Sequence, residues 1–248
     1  MKWRDAALGF VATLVIWELL SLLIARPVFP PPTRVLVVFM QQIMGDLGRH
    51  FLVSAGRVVA AIALAVVAAV PSGLGLGQIR ALNRFFSPLI YIVYPIPKIV
   101  FLPVILVLFG SGDGSKVLLI ALILFFQILV VVRDEAADLR PELILSVRSV
   151  GAGRRALFRY VYLPASIPAV LTALRISVGT AVAVLFIAET YATTSGLGYY
   201  IIIESWGALR YAHMYAGVLA MSLLGLALYF VVDGLDRRLC PWREAWAG

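Results

Sequence analysis

Five ionisable side chains fall within or at the edge of long apolar stretches: Glu18, Arg57, Lys98, Arg175 and Glu189. Carriers driven by an ion gradient hide a carboxylate or histidine at mid-membrane, so Glu18 and Glu189 are where ion coupling would sit. Lys98 and Arg175 bring positive charge into apolar surroundings and suit an anionic cargo. His50 and His213 lie near helix ends without an acid-plus-serine pattern beside them, so neither reads as the base of a nucleophile. Cys240, the single cysteine, cannot form an internal disulfide, and no CxxC pair or histidine cluster offers a metal site. Gly73-Leu74-Gly75-Leu76-Gly77 lacks the Gly-Lys-Ser/Thr ending of a phosphate loop, and its place at a helix end reads as close packing. No constellation for catalysis emerges.

The elements that must position these side chains follow from composition. Of 248 residues, 62% are apolar and 14% charged, and mean hydropathy is +0.99. An average soluble domain has about 45–50% apolar and about 25% charged residues. A single soluble core of this size cannot hide so much apolar surface. Continuous apolar runs near 20 residues are membrane-spanning helices, whereas barrel strands would be about ten residues long and alternate. Six runs are expected to span: residues 6–25, 51–77, 85–109, 117–132, 167–190 and 211–232. The third carries Pro88, Pro95, Pro97 and Pro103. The first follows Lys2 and Arg4 but ends at Arg26-Pro27 without a small-residue cleavage site, so it reads as a retained helix.

With the N-terminus inside, 13 of the 21 basic residues fall on the cytoplasmic side and five (Arg26, Arg34, Arg49, Lys116 and Arg210) on the opposite one. That bias places both termini in the cytoplasm. The net charge of +8 then anchors helix ends against anionic lipid. No basic stripe interleaved with aromatics points to nucleic acid. In residues 26–50, Phe29-Pro30-Pro31-Pro32-Thr33 is rigid and extended, and 35–47 reads as an amphipathic helix along the outer interface, capped by Thr33. Residues 133–166 hold six arginines and four acids. Yet Leu143, Ile144, Val147 and Val150, then Leu157, Phe158 and Val161, keep the spacing of short helices with one greasy face. Gly151-Ala152-Gly153 divides them, and Pro164 and Pro168 mark the start of the fifth spanning helix. Such a loop is folded, and a soluble partner can push on it. The organisation is therefore a first helix with its Pro-rich external segment (1–50), a five-helix core (51–232) containing the loop, and a cytoplasmic tail (233–248).

Gly151, followed after nine residues by Val161 and then by Leu163-Pro164, resembles the glycine…Ile-x-Leu-Pro part of the signature of ABC importer permeases. The family's Glu-Ala-Ala triplet, three residues before the glycine, has degenerated here to Leu145-Ser146-Val147, and Glu135-Ala136-Ala137 lies ten residues too early. Further matches in order are Phe29-Pro30-Pro31-Pro32, Tyr94-Pro95-Ile96-Pro97, Leu102-Pro103 with Phe109-Gly110, and Leu163-Pro164-Ala165-Ser166-Ile167-Pro168. Leu171-Thr172-Ala173-Leu174-Arg175, Ala188-Glu189, Gly196-Leu197-Gly198 and Arg237-Arg238-Leu239-Cys240-Pro241-Trp242 complete the set. Together they are similar to the nitrate, sulfonate, taurine and bicarbonate branch of the binding-protein-dependent (MetI-like) family, which also serves some vitamin precursors.

The resemblance implies an all-α polytopic membrane protein, the transmembrane domain of a type I ABC importer in a prokaryotic inner membrane, with six transmembrane helices and a cytoplasmic coupling helix. It implies a second permease copy, two ATPase subunits that bind the ATP and magnesium, and an external solute-binding protein. No cofactor belongs to this chain. Coupling is expected within residues 142–160 and the return segment, through Leu145, Val147, Arg148, Gly151, Arg154, Arg155, Leu163 and Pro164. For the translocation path the expected residues are Tyr94 in the proline-broken helix, Lys98 one turn on, and Glu189 with Thr190 and Tyr191 at a hydroxyl-rich rim. The cargo expected is a small anion of the sulfonate, taurine or nitrate type, with a vitamin or pyrimidine precursor as the alternative. The alternative class is a secondary carrier coupled through Glu18 and Glu189.

Overall fold

The computed structural model describes residues 3–241, which are helical almost throughout, with no strand among them. The end of the tail, residues 242–248, lies outside the described residues. Four stretches are long and apolar enough to cross a membrane: α3 (Asp46–Gln78), α6 (Asp113–Ala137), Arg155–Ala188 and α11 (Tyr211–Leu239). The third of these joins α8 (Arg154–Leu157), a π-helical segment (Phe158–Tyr162) and α9 (Leu163–Ala188). Pro164 has no N–H to bond the carbonyl four residues back, and the wider π spacing just before it accommodates that loss. α1 (Trp3–Ile24) contains a shorter apolar stretch, Val11–Ile24.

The third apolar run is not one straight helix. α4 (Arg80–Val93) and the arm Lys98–Phe109, whose latter part is α5 (Leu102–Phe109), are bent from each other by 82°. Pro95 and Pro97 explain the break, since neither can donate to the preceding turn.

The chain forms two compact units. One takes in the described chain up to Gly56 together with Phe186–Leu224. Here the Pro-rich turn has no internal ladder of its own. It is held instead by α1: Trp17 Nε1 donates to the Pro30 carbonyl at 3.1 Å and Ser21 Oγ to that of Phe29 at 2.7 Å. The Phe29 and Tyr215 rings meet edge to face with centroids 6.1 Å apart. α2 runs over Pro32–Gln42 rather than 35–47, starting at a proline suited to a first turn. Thr33 is not its cap; Pro31 holds that position, and the Thr33 hydroxyl lies 3.4 Å from the Glu18 carboxylate.

The second unit takes in Arg57–Leu185 and the chain from Gly225. Its best-covered element is α6, where Leu119, Ile120, Leu124, Ile128 and Val132 have no exposed surface. α3 packs against α6 through Gly73 and Gly77. A Cβ on Gly73 would meet the Val132 side chain at 2.9 Å, and one on Gly77 the Arg133 carbonyl oxygen at 2.6 Å. Small residues four apart let two helix backbones approach this closely, so the glycine run is a packing surface.

Candidate functional site

In the second unit, the arginine-rich stretch folds into α7 (Pro141–Ser149) and then α8. Proline opens α7 where a missing N–H costs little, with Glu142 in its first turn and Arg148 in its last, both favourable to the helix dipole. The helix ends in a Schellman arrangement: Gly151 N–H donates to the Arg148 carbonyl at 2.9 Å and Ala152 N–H to that of Val147 at 3.4 Å. Gly151 adopts φ +82°, where an L side chain is strained.

Beyond the turn, Leu157 and Val161 face inward, but the greasy face of this stretch is only partly covered. Leu145 is 62% exposed and Val150 81%. Val147 and Pro164 are half-buried, while Arg148, Arg155 and Leu163 are exposed. The side chain of Arg154 lies outside the described residues. The result is a rigid knuckle with an apolar and basic outer surface.

At the broken helix, Tyr94 is exposed and lines a cavity of about 360 Å³ with Pro95, Ile96, Lys98, Phe126 and Gln127. Lys98 does not offer a free ammonium to that cavity. It is buried, and Nζ donates to the carbonyls of Val93, Tyr94 and Ile96 at 3.1, 2.9 and 3.2 Å. These are acceptors at the proline break, where Pro97 has no N–H for the Val93 carbonyl. The ammonium also sits 4.6 Å from the centre of the Phe126 ring. Arg175 is committed as well, to Asp233 at 3.0 Å and Asp236 at 2.9 Å.

In the first unit, the end of α9 and α10 (Leu197–Tyr199) form a buried polar cradle with α3. Glu189 has no exposed surface, and Oε2 accepts from Ser54 Oγ at 2.7 Å and from Gly198 N–H at 3.0 Å. Ser54 Oγ accepts in turn from Leu197 N–H at 2.7 Å, and His50 Nδ1 accepts from Gly196 N–H at 3.0 Å. Three successive N–H groups at a helix start are thus capped by three side chains, as helix termini require. A Cβ on Gly198 would meet the Phe186 carbonyl oxygen at 2.6 Å, so the close approach needs glycine.

His50 therefore does stand beside a serine and an acid, its Nε2 lying 3.3 Å from Glu204. Spacing along α3 puts His50 and Ser54 on one face, a visible signal, but Gly196 is 146 residues away. The arrangement is no nucleophile's triad. Nδ1 accepts from the Gly196 N–H and Nε2 faces Glu204, which leaves neither nitrogen for Ser54. Nearby, burial first and Glu204 second push the Tyr200 hydroxyl up to about 12. The rim residues divide. Thr190 Oγ1 donates back to the Ile187 carbonyl at 2.7 Å, and Tyr191 is exposed.

A family model described as a binding-protein-dependent transport system inner membrane component matches residues 61–242. The chain is 29% identical to the taurine transport system permease protein of Escherichia coli K12, over 98% of this chain and 94% of that protein. A Bacillus subtilis protein described as an aliphatic sulfonates transport permease is 25% identical, over 99% and 90%. Among solved structures, an inward-facing methionine ABC transporter chain superposes with a TM-score of 0.66 at 21% identity, covering 79% of this chain and 97% of that one. The fold is that of a type I ABC importer transmembrane domain.

Proposed function

The chain belongs to the family of binding-protein-dependent transport system inner membrane components and is a permease subunit of an ATP-driven importer; on that premise we propose that two copies of it form the path for a small sulfonate. The ATPase subunits and the external binding protein are its partners, and ATP hydrolysis belongs to the ATPase. Both termini lie in the cytoplasm, which the basic-residue bias supports.

The observation that carries the coupling role is the capped turn at Gly151 with exposed Leu145 and Val150. An apolar, basic knuckle on a short rigid helix fits a cleft of an ATPase subunit, with Arg148, Arg154 and Arg155 meeting its acidic groups. Leu163 and Pro164 begin the rigid span that carries the motion into the membrane. Closure of the ATPase subunits on ATP moves the knuckle, and the helices follow as a two-state element.

For the path, Tyr94 presents its ring from the broken helix, and Tyr191 and Thr190 belong to the outer rim. Lys98 and Glu189 act beside it as positioning residues that hold backbone in place. The sulfonate assignment is supported by the two relatives' cargo, and not by Lys98 or Arg175, which are committed to carbonyls and carboxylates of this chain.

The test is to co-express the chain with its neighbouring genes, purify the complex on a tag placed on this chain, and measure ATPase activity in lipid with and without loaded binding protein. Stimulation by the binding protein that Gly151→Trp uncouples from transport supports the reading. A chain that purifies alone and transports on an ion gradient sinks it.

A further inference from the structure

Two of the five basic residues on the side opposite the termini, Arg34 and Arg210, line one cavity of about 230 Å³ in the first unit. His213, Pro27, Pro30 and Leu209 line it too. We propose that this cavity receives an acidic side chain of the external solute-binding protein, an inference that rests on the importer reading above.

Four observations converge. Neither Arg34 nor Arg210 has an ion-pair partner among the described residues, although other arginines of the chain are paired. Their positions run against the inside-positive bias, so membrane topology gives no reason for the charge. The walls are rigid: Trp17 and Ser21 fasten the proline turn, and Tyr215 of α11 packs on Phe29. The start of α11 forms another wall, where the Arg210 carbonyl takes the N–H groups of His213 and Met214, and such a start favours negative charge.

A protein partner fits better than a lipid headgroup. Leu209, at φ +56°, is held in a strained conformation with 68% of its surface exposed, and Trp206, which ends the preceding π-helical segment, is exposed. Tyr211 lines the cavity with the two arginines, and tyrosine and arginine around a side-chain-sized pocket are the composition of an interface hot spot. Guanidinium forks recognise a carboxylate geometrically as well as by charge.

The test uses the whole complex in vesicles and reads stimulated ATPase against the concentration of cargo-loaded binding protein. Arg34→Glu and Arg210→Glu should each raise the half-saturating concentration about tenfold, with Arg210→Lys between them and the parent. Raising ionic strength from about 0.05 M to about 0.3 M should raise it in the unmodified complex too, which tests the charge without any variant. Half-saturation indifferent to both variants and salt overturns the proposal. So does half-saturation that follows the phosphatidylglycerol content of phosphatidylcholine vesicles and not the arginines, which assigns the cavity to lipid. An unmodified complex that no binding protein stimulates removes the importer reading itself and the proposal with it. That outcome differs from a stimulated complex blind to the arginines, which removes only the proposal.

Discussion

Ser54 Oγ lies 2.7 Å from Glu189 Oε2 and 2.7 Å from the Leu197 nitrogen, donating to the first and accepting from the second. One hydroxyl therefore fastens α3 to the segment that follows α9, in a place without exposed surface. Because the groups are out of water, every unmade bond there carries its full desolvation cost.

Ser54→Ala leaves the Leu197 N–H without its acceptor and removes one of the donors to Glu189, which keeps the Gly198 N–H. The expected loss is about 1–3 kcal/mol of stability. It is read as a lower apparent melting temperature of the purified complex, with Ser54→Cys falling between. A Ser54→Ala protein that melts with the parent would show that the cradle is not holding the loop.

Lys98→Met deprives the carbonyls of Val93, Tyr94 and Ile96 of their common donor. Stability and transport rate should both drop. The half-saturating cargo concentration should stay within about twofold, because no interaction with cargo has been removed. A large rise in that concentration at unchanged stability would identify Lys98 as a cargo ligand instead.

Substitutions at Gly151 should rank by backbone tolerance, not size. A Cβ there meets nothing within 4 Å, so space is no obstacle, but φ is +82°. An ordinary L residue costs about 1–2 kcal/mol in this region, and asparagine less. Cargo moved per ATP hydrolysed should therefore fall most in Gly151→Val, less in Gly151→Ala and least in Gly151→Asn. Equal coupling in all three would remove the conformational argument.

Tyr200 should make stability fall in base. Its folded value, about 12, stands above the ordinary 10.0 because burial and then Glu204 oppose the phenolate. The folded state holds the proton more tightly than the unfolded one, so the contribution is complete below pH 10.0 and is lost as pH rises toward about 12. The apparent melting temperature should decline more steeply across that window in the parent than in Tyr200→Phe. Parallel curves would contradict it.

Much of the arginine-rich stretch is legible in the sequence because its geometry is local. Pro141, the acid and base at the two ends of α7, and Gly151 at its close each act within a turn or two. The polar groups in apolar surroundings are another matter. Lys98 directly follows Tyr94-Pro95-Ile96-Pro97, and its spacing is equally compatible with an ammonium facing cargo and with one folded back on the break. His50 and Ser54 share a face, but the partners that define them begin 135 residues on. Arg175 looks like a spare cation until Asp233 and Asp236, 58 and 61 residues away, are brought beside it.

The amino-acid sequence by itself determined that this is a helical membrane protein, where the third run breaks and where the arginine-rich knuckle turns. Those follow from apolar length, proline and glycine, which act on the backbone nearby. Tertiary structure alone decided which charges are available. A charged side chain in a poor dielectric is neutralised by whatever carbonyl, carboxylate or ring packs against it, and helix spacing fixes the face a residue occupies without naming the helix that will cover it.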